Sequence, residues 1–187
     1  PLNGIFLFKD GFFVQYAEFD GEPIKDQGSM AHTGPYSVGE EFVHLVAEQT
    51  LSTAPLEEKP LTSAGLTEHD IAVSRSGDNL TLTFSKGTGT VQNFELAGPG
   101  EGDVYKLPNG ALALVDGRFI MVDGNENKVV SGYGTYEKDG DSLKLNIHRW
   151  TEADPTAASN IYDSVMQATF DGQSLSLEDG RSFEVRP

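Results

Sequence analysis

The sequence predicts an all-β protein, an antiparallel β-barrel built from two sequence-related halves. Three observations carry this prediction. Short β-favouring runs punctuated by Gly, Asp and Asn recur from end to end; no stretch sustains apolar spacing at i, i+3, i+4 and i+7; and four sequence blocks return in the same order in the second half.

The runs of the first half fall at residues 5–8, 12–19, 42–49, 71–75, 80–85 and 91–96. Those of the second half fall at 104–107, 111–115, 119–122, 129–137, 143–150, 162–170, 175–177 and 183–186. Between them stand Lys9-Asp10-Gly11, Ser76-Gly77-Asp78-Asn79, Asp116-Gly117, Asp139-Gly140-Asp141, Asp171-Gly172 and Asp179-Gly180. Gly and Asn there supply the positive φ that tight hairpins require, so neighbouring runs are expected to pair as hairpins. Two segments break the rhythm. Residues 51–66, rich in Pro, Thr and Glu, and residues 151–160, with Pro155 and several Ala, are long enough for a short helix or a cover over a barrel mouth.

The repeat is the strongest pattern in the chain. Phe8-Lys9-Asp10-Gly11-Phe12-Phe13-Val14 resembles Leu114-Val115-Asp116-Gly117-Arg118-Phe119-Ile120, and Gly34-Pro35-Tyr36 with Val43-His44-Leu45 resembles Gly134-Thr135-Tyr136 with Leu143-Lys144-Leu145. Further on, Gly77-Asp78-Asn79-Leu80-Thr81-Leu82 matches Gly172-Gln173-Ser174-Leu175-Ser176-Leu177, and Asn93-Phe94-Glu95-Leu96 matches Ser182-Phe183-Glu184-Val185. The halves span about 1–97 and about 103–187, with the glycine-rich linker 98–102 between them. Each half is too small to bury both faces of a sheet, so residues 1–187 are expected to form a single barrel domain whose halves share one core and enclose one hollow.

Composition narrows the function classes. The chain has 187 residues, with 11 Phe and 6 Tyr, which suits a folded β domain and not a disordered chain. It has no Cys, which excludes disulfide frameworks, thiolate metal sites and thiol nucleophiles. A formal net charge of -16 repels phosphate backbones and anionic membrane surfaces, so neither nucleic acid nor membrane is the expected partner. No apolar run approaches the length that crosses a bilayer and no basic leader opens the chain; the expected location is the cytoplasm.

Metal and cofactor motifs find no support. Asp123-Gly124-Asn125-Glu126-Asn127 lacks the Gly placement and distal Glu of a calcium loop and reads as a hairpin turn. The Gly-rich segments 86–90 and 98–102 do not precede a helix in a βαβ unit, and they read as turns. Asn79-Leu80-Thr81 fits a glycosylation pattern but lies in a predicted strand. The Pro1 amine would be a base or nucleophile only if it pointed into a cavity.

Alternation proposes the core face without choosing it. Val43, Leu45 and Ala47 share one side of their strand, as do Leu143, Leu145 and Ile147; His44 and Glu48 lie opposite in the first half, and His148 and Trp150 in the second. Whichever side faces the cavity decides which histidine is functional. His32 and His69 sit in polar, loop-like sequence and are weaker candidates.

Several of these stretches also resemble a known family. The run Phe6-Leu7-Phe8-Lys9-Asp10-Gly11-Phe12, then Thr33-Gly34-Pro35-Tyr36-Ser37-Val38, Val43-His44-Leu45-Val46-Ala47-Glu48 and Gly77-Asp78-Asn79-Leu80-Thr81-Leu82 are similar to the bacterial and fungal lipocalin-like domain family. Gly134-Thr135-Tyr136, Gly140-Asp141 and Leu175-Ser176-Leu177 repeat the likeness. The Gly-x-Trp of secreted lipocalins is absent, and the only tryptophan is Trp150. The resemblance implies a lipocalin-like (calycin-type) barrel around a cavity for a small hydrophobic molecule; the motif spacing adds the expectation of no metal and no cofactor. Relatives of this shape include carriers as well as isomerases, cyclases and lyases.

An apolar barrel of this kind needs a few convergent polar groups. His44 or His148 is the candidate general acid or base, with Tyr36 and Glu48 beside them; Tyr16, Arg75, Tyr133, Tyr136 and Trp150 are candidate ligand contacts. Three readings stay open: a cofactor-independent isomerase, cyclase or lyase; a carrier or sensor; or a filled barrel whose outer surface serves a partner such as the second copy of a homodimer.

Overall fold

The computed structural model describes residues 2–85 and 89–187, so Pro1 and residues 86–88 of the Gly-rich segment lie outside the described residues. The first half folds as β1 (Leu2–Lys9), β2 (Phe12–Phe19), β3 (Ser29–Val38), β4 (Val43–Ala47), β5 (Gln49–Thr53), β6 (Leu61–Ser63), β7 (Thr67–Ser76), β8 (Asn79–Thr83) and β9 (Val91–Glu95). Their order in the sheet is β1-β2-β3-β4-β7-β8-β9, with β5 on β3 and β6 on β5. The second half is a meander in chain order: β10 (Gly102–Leu107), β11 (Gly110–Val115), β12 (Arg118–Gly124), β13 (Val129–Asp139), β14 (Ser142–Ala153), β15 (Ala158–Phe170), β16 (Ser174–Leu177) and β17 (Ser182–Glu184). The antiparallel all-β class therefore holds. A 3-10 turn, Ile24–Asp26, interrupts the strands of the first half.

The recurring blocks land at equivalent places. Asp10 and Gly11 both take positive φ between β1 and β2, as do Asp116 and Gly117 between β11 and β12. Phe13 pairs with Gly34 and Phe119 with Gly134. Beyond them the Tyr36 N–H donates to the Gly11 carbonyl at 2.8 Å and the Tyr136 N–H to Gly117 at 3.0 Å. Strand β14 runs through a bulge at His148; in the first half the same path is broken at Glu48 into β4 and β5. Among the described residues, strand β10 has no counterpart in the first sheet.

One expectation changes. The halves do not enclose one hollow: each sheet curls around its own apolar cluster, Phe13, Leu45, Ile71 and Leu82 in the first and Phe119, Leu145, Trp150 and Phe170 in the second. A third cluster joins them, with Phe12, Val14 and Tyr16 of β2 against Ala113, Ile120 and Val122 of β11 and β12. The reason lies in these strands, which are apolar on both faces. One face feeds the sheet's own core and the other is left to dock on its neighbour.

The ends of the sheets differ. The second sheet nearly closes, because the Arg186 N–H just past β17 donates to the Lys106 carbonyl of β10 at 2.8 Å. In the first, no ladder joins β1 to β9 among the described residues, and side chains bridge the seam: Phe6 stands edge-on to Phe94 at 5.8 Å, and Gln15 Nε2 donates to Gln92 Oε1 at 2.9 Å. The two segments expected to hold a helix or a lid are hairpin turns instead. Residues 54–60 join β5 to β6, and 154–157 join β14 to β15, with Asp154 Oδ1 accepting from the N–H groups of Thr156 and Ala157. The predicted hairpin at Asp123 is present, and Asp123 Oδ2 accepts the Asn109 N–H at 3.0 Å.

Candidate functional site

Period-two alternation aims Phe6 and Phe8 of β1, Leu80 and Leu82 of β8 and Phe94 of β9 toward the inside of the open seam. They form the floor of a cavity of about 470 Å³. Phe6 and Phe8 stack at 4.4 Å, which fixes that wall. The rim is polar and comes from both halves: Arg75 and Asp78 at the β7–β8 turn, and Arg118, Tyr133 and His148 from the outer face of the second sheet. Arg75 Nε donates to the Gly77 carbonyl at 2.8 Å and Arg118 Nη1 to Ala97 at 3.2 Å, so both guanidinium groups are held by backbone.

Three residues singled out in the sequence, Arg75, Tyr133 and His148, meet at this rim. The Tyr133 hydroxyl donates to Glu18 Oε1 at 3.4 Å, and its ring lies 5.1 Å from that of His148. Burial, then the Glu18 carboxylate, pushes the Tyr133 phenol well above its ordinary range, so it is a neutral donor at pH 7. His148, at the bulge, is 57% exposed and has Glu18 Oε1 at 3.9 Å.

The other sequence candidates are placed elsewhere. His44 points away from the first core, with Nδ1 2.7 Å from Asp70 Oδ1 and Nε2 3.7 Å from Glu68 Oε2. Glu48 pairs with Arg186 Nη2 at 2.7 Å and shares no site with His44. Tyr36 packs edge-on to Phe8 at 5.2 Å and does not line the seam cavity. Tyr136 lies against the second core. Trp150 is inside that core, although plain alternation puts it with His148; the bulge adds one residue and returns it to the side of Leu143, Leu145 and Ile147.

Tyr16 is a joint between the halves and not a cavity residue. Asn160 Nδ2 donates to the carbonyls of Ile24, Lys25 and Gln27, Thr151 donates to Asn160 Oδ1 at 2.8 Å, and the Tyr16 hydroxyl therefore donates to Thr151 Oγ1 at 2.7 Å. Burial pushes the Tyr16 phenol up. Tyr16→Phe should cost about 1 kcal/mol in urea denaturation, since Thr151 keeps its acceptor; a loss under about 0.3 kcal/mol would show that this relay does not hold the halves. Beside it Arg149, 3% exposed, donates to Gln27 Oε1 and faces Glu18 Oε2 at 3.9 Å. Periodicity missed this pair because the bulge reverses the phase at Arg149.

His32, a weaker candidate in polar, loop-like sequence, is buried instead. It lies on β3 inside the first sheet, edge-on to Phe13 at 5.0 Å and to Phe6 at 5.8 Å. Its Nε2 is 2.5 Å from Gln15 Oε1, and the same Gln15 side chain donates onward to Gln92. An amide oxygen only accepts, so Nε2 carries the proton and Nδ1 is left as a buried acceptor without a partner. Burial first, then His69, holds His32 down at about 3. His69 is likewise inside, edge-on to Phe84 at 5.8 Å.

Comparison with protein-family models and with curated proteins gives no match to this chain.

Proposed function

We propose that the protein holds a small hydrophobic molecule in the seam cavity of the first sheet, as a carrier or sensor. The observation that carries this reading is the division of the wall: aromatic and aliphatic side chains make the floor, and hydrogen-bonding groups stand at the rim. Such a division retains an apolar body while fixing its orientation at one end. On this reading the halves are copies of one lipocalin-like unit, and the likeness of their hairpin turns and strand order supports it.

A catalytic second reading, of the isomerase, cyclase or lyase kind, draws on one observation. His148 and Tyr133 stand together at the rim, where a neutral phenol could polarise a substrate oxygen while the imidazole moves a proton.

The test uses N-phenyl-1-naphthylamine, whose fluorescence rises in apolar surroundings. Leu80→Trp fills the floor and should weaken probe binding at least about tenfold, roughly 1.4 kcal/mol, while the urea midpoint stays near wild type. His148→Gln should leave probe affinity within about twofold. Unchanged affinity in Leu80→Trp would end the seam proposal.

A further inference from the structure

The seam of the first sheet has the parity of a circuit that is one strand short. Each neighbouring pair along β1-β2-β3-β4-β7-β8-β9 is antiparallel, so β9, the seventh strand of this path, runs in the same direction as β1. A circuit of antiparallel neighbours closes only on an even number of strands. The second sheet has eight, and β10 brings its ends together: it pairs with β11 on one side, and on the other its Lys106 carbonyl accepts the Arg186 N–H. Strands β1 and β9 hold the places of β11 and β17 in the strand order, and among the described residues nothing stands between them in the place of β10.

Both edges of the seam present unpaired backbone. The β1–β2 hairpin closes on the pair Lys9 and Phe12, and bonded pairs alternate with unbonded ones from there. That alternation turns the backbone groups of Phe8 and Phe6 away from β2 and toward the seam. In β9 the Leu96 N–H meets the Asp78 carbonyl, so the same alternation turns those of Glu95 and Asn93 away from β8. A hollow of about 540 Å³ lies between Leu2, Asn3 and Gly4 on one side and residues 90–95 on the other, and Gly4, Phe94 and Glu95 are common to it and the seam cavity. Neither strand carries a proline, and Lys9 is the one basic residue in the pair. Edges of this kind are templates for another strand.

We propose that the seam accepts an extended segment of a partner protein as an eighth strand, antiparallel to both β1 and β9. Its chemistry follows from β10. There Tyr105 and Leu107 turn into the core of their own sheet, with Tyr105 edge-on to Phe170 at 4.7 Å, while Lys106 turns outward over the Phe12 ring at 5.1 Å. A segment in the seam likewise sets apolar side chains at every second position toward Phe6 and Phe94. The polar ones between them face Arg118, Tyr133 and His148 of the second half. This docking goes beyond the small-molecule reading and does not depend on it. The two occupants share the stretch around Phe6 and Phe94 and compete there.

The experiment uses the full chain and a synthetic peptide with the sequence of residues 101–108, which contains the strand that closes the second sheet. Amide hydrogen exchange is followed by NMR. In the free protein the Phe6, Asn93 and Glu95 amides should exchange at least about tenfold faster than those of Leu7 and Phe94, and saturating peptide should slow them at least about tenfold. Amides of β11 and of residues 182–186 should keep their rates. The same peptide N-methylated at its tyrosine nitrogen keeps every side chain, loses a donor and sets a methyl group against the neighbouring strand; it should bind at least about tenfold more weakly. Protection of the Phe6, Asn93 and Glu95 amides in the free protein would overturn the proposal. So would the absence of slowing up to about 1 mM peptide, slowing at β11 or residues 182–186 in place of the seam, or equal affinity of the two peptides. No naphthylamine probe is present, so this result and that of Leu80→Trp stand or fall separately.

Discussion

Gly34→Ala and Gly134→Ala should each destabilise the protein by about 3 kcal/mol. A Cβ at Gly34 would sit 1.8 Å from the Val46 carbonyl oxygen and 3.0 Å from the Glu48 nitrogen. At Gly134 it would meet the Asn146 oxygen at 2.0 Å and the His148 nitrogen at 2.9 Å. These obstacles are backbone atoms, so no rotamer change clears them, and the ladder at the strand break or bulge must move. Neither glycine needs positive φ, which makes the cost one of space and not of conformation. Gly21→Ala is the control: its Cβ would meet only Gln27 Cγ, at 3.7 Å, and should change stability by less than about 0.5 kcal/mol. Urea midpoints measure all three. Equal stability of Gly34→Ala and wild type would mean that β4 does not approach β3 as closely as drawn.

The same glycines show how far the fold was legible. The hairpins around Asp10-Gly11 and Asp116-Gly117 follow from turn chemistry alone, because few dipeptides adopt two consecutive positive φ values. Strand β3 was not read. Its sequence, Ser-Met-Ala-His-Thr-Gly-Pro-Tyr-Ser-Val, is short of β-branched residues and carries a Gly-Pro pair, so local propensity points to a loop. Tertiary pairing overrides this: Gly34 admits the backbone of Val46, and exposed Pro35 leaves the next ladder bond to Tyr36. The signal was nonetheless present. Gly134-Thr135-Tyr136 lay in a predicted strand, and the repeat ties Gly34-Pro35-Tyr36 to it.

The sites were legible in part for a related reason. Alternation in β14 aimed His148 correctly away from Leu143 and Leu145, and Tyr133 and Arg75 arrive at the same rim through strands that were also predicted. Past the bulge the reading fails. One extra residue sends Trp150 into the core and turns Arg149 toward Glu18, and no period-two pattern announces where a bulge will fall. The single-hollow expectation failed on β2, β11 and β12, whose continuous apolar runs are compatible with one thick core or with two cores and a joint.

Missing β3 also hid His32, and with it the strongest pH dependence expected of this protein. In the unfolded chain His32 titrates near 6.5, whereas in the fold burial and then His69 hold it at about 3. Between these values the unfolded chain takes up a proton that the native protein refuses. The contribution of His32 to stability is therefore complete above the unfolded value and is lost as pH falls through the window toward the folded one. By pH 4 the loss is on the order of 3 kcal/mol. Wild type alone cannot show this cleanly, because 29 acidic residues begin to protonate over the same range. The difference between wild type and His32→Gln isolates it: the variant lacks the titrating ring, so its stability should fall less between pH 7 and pH 4, by that same order of 3 kcal/mol. Its stability at pH 7 depends on how well the new amide meets Gln15, but that offset cancels from the slope. Parallel curves for the two proteins from pH 7 to pH 4 would place His32 in contact with water.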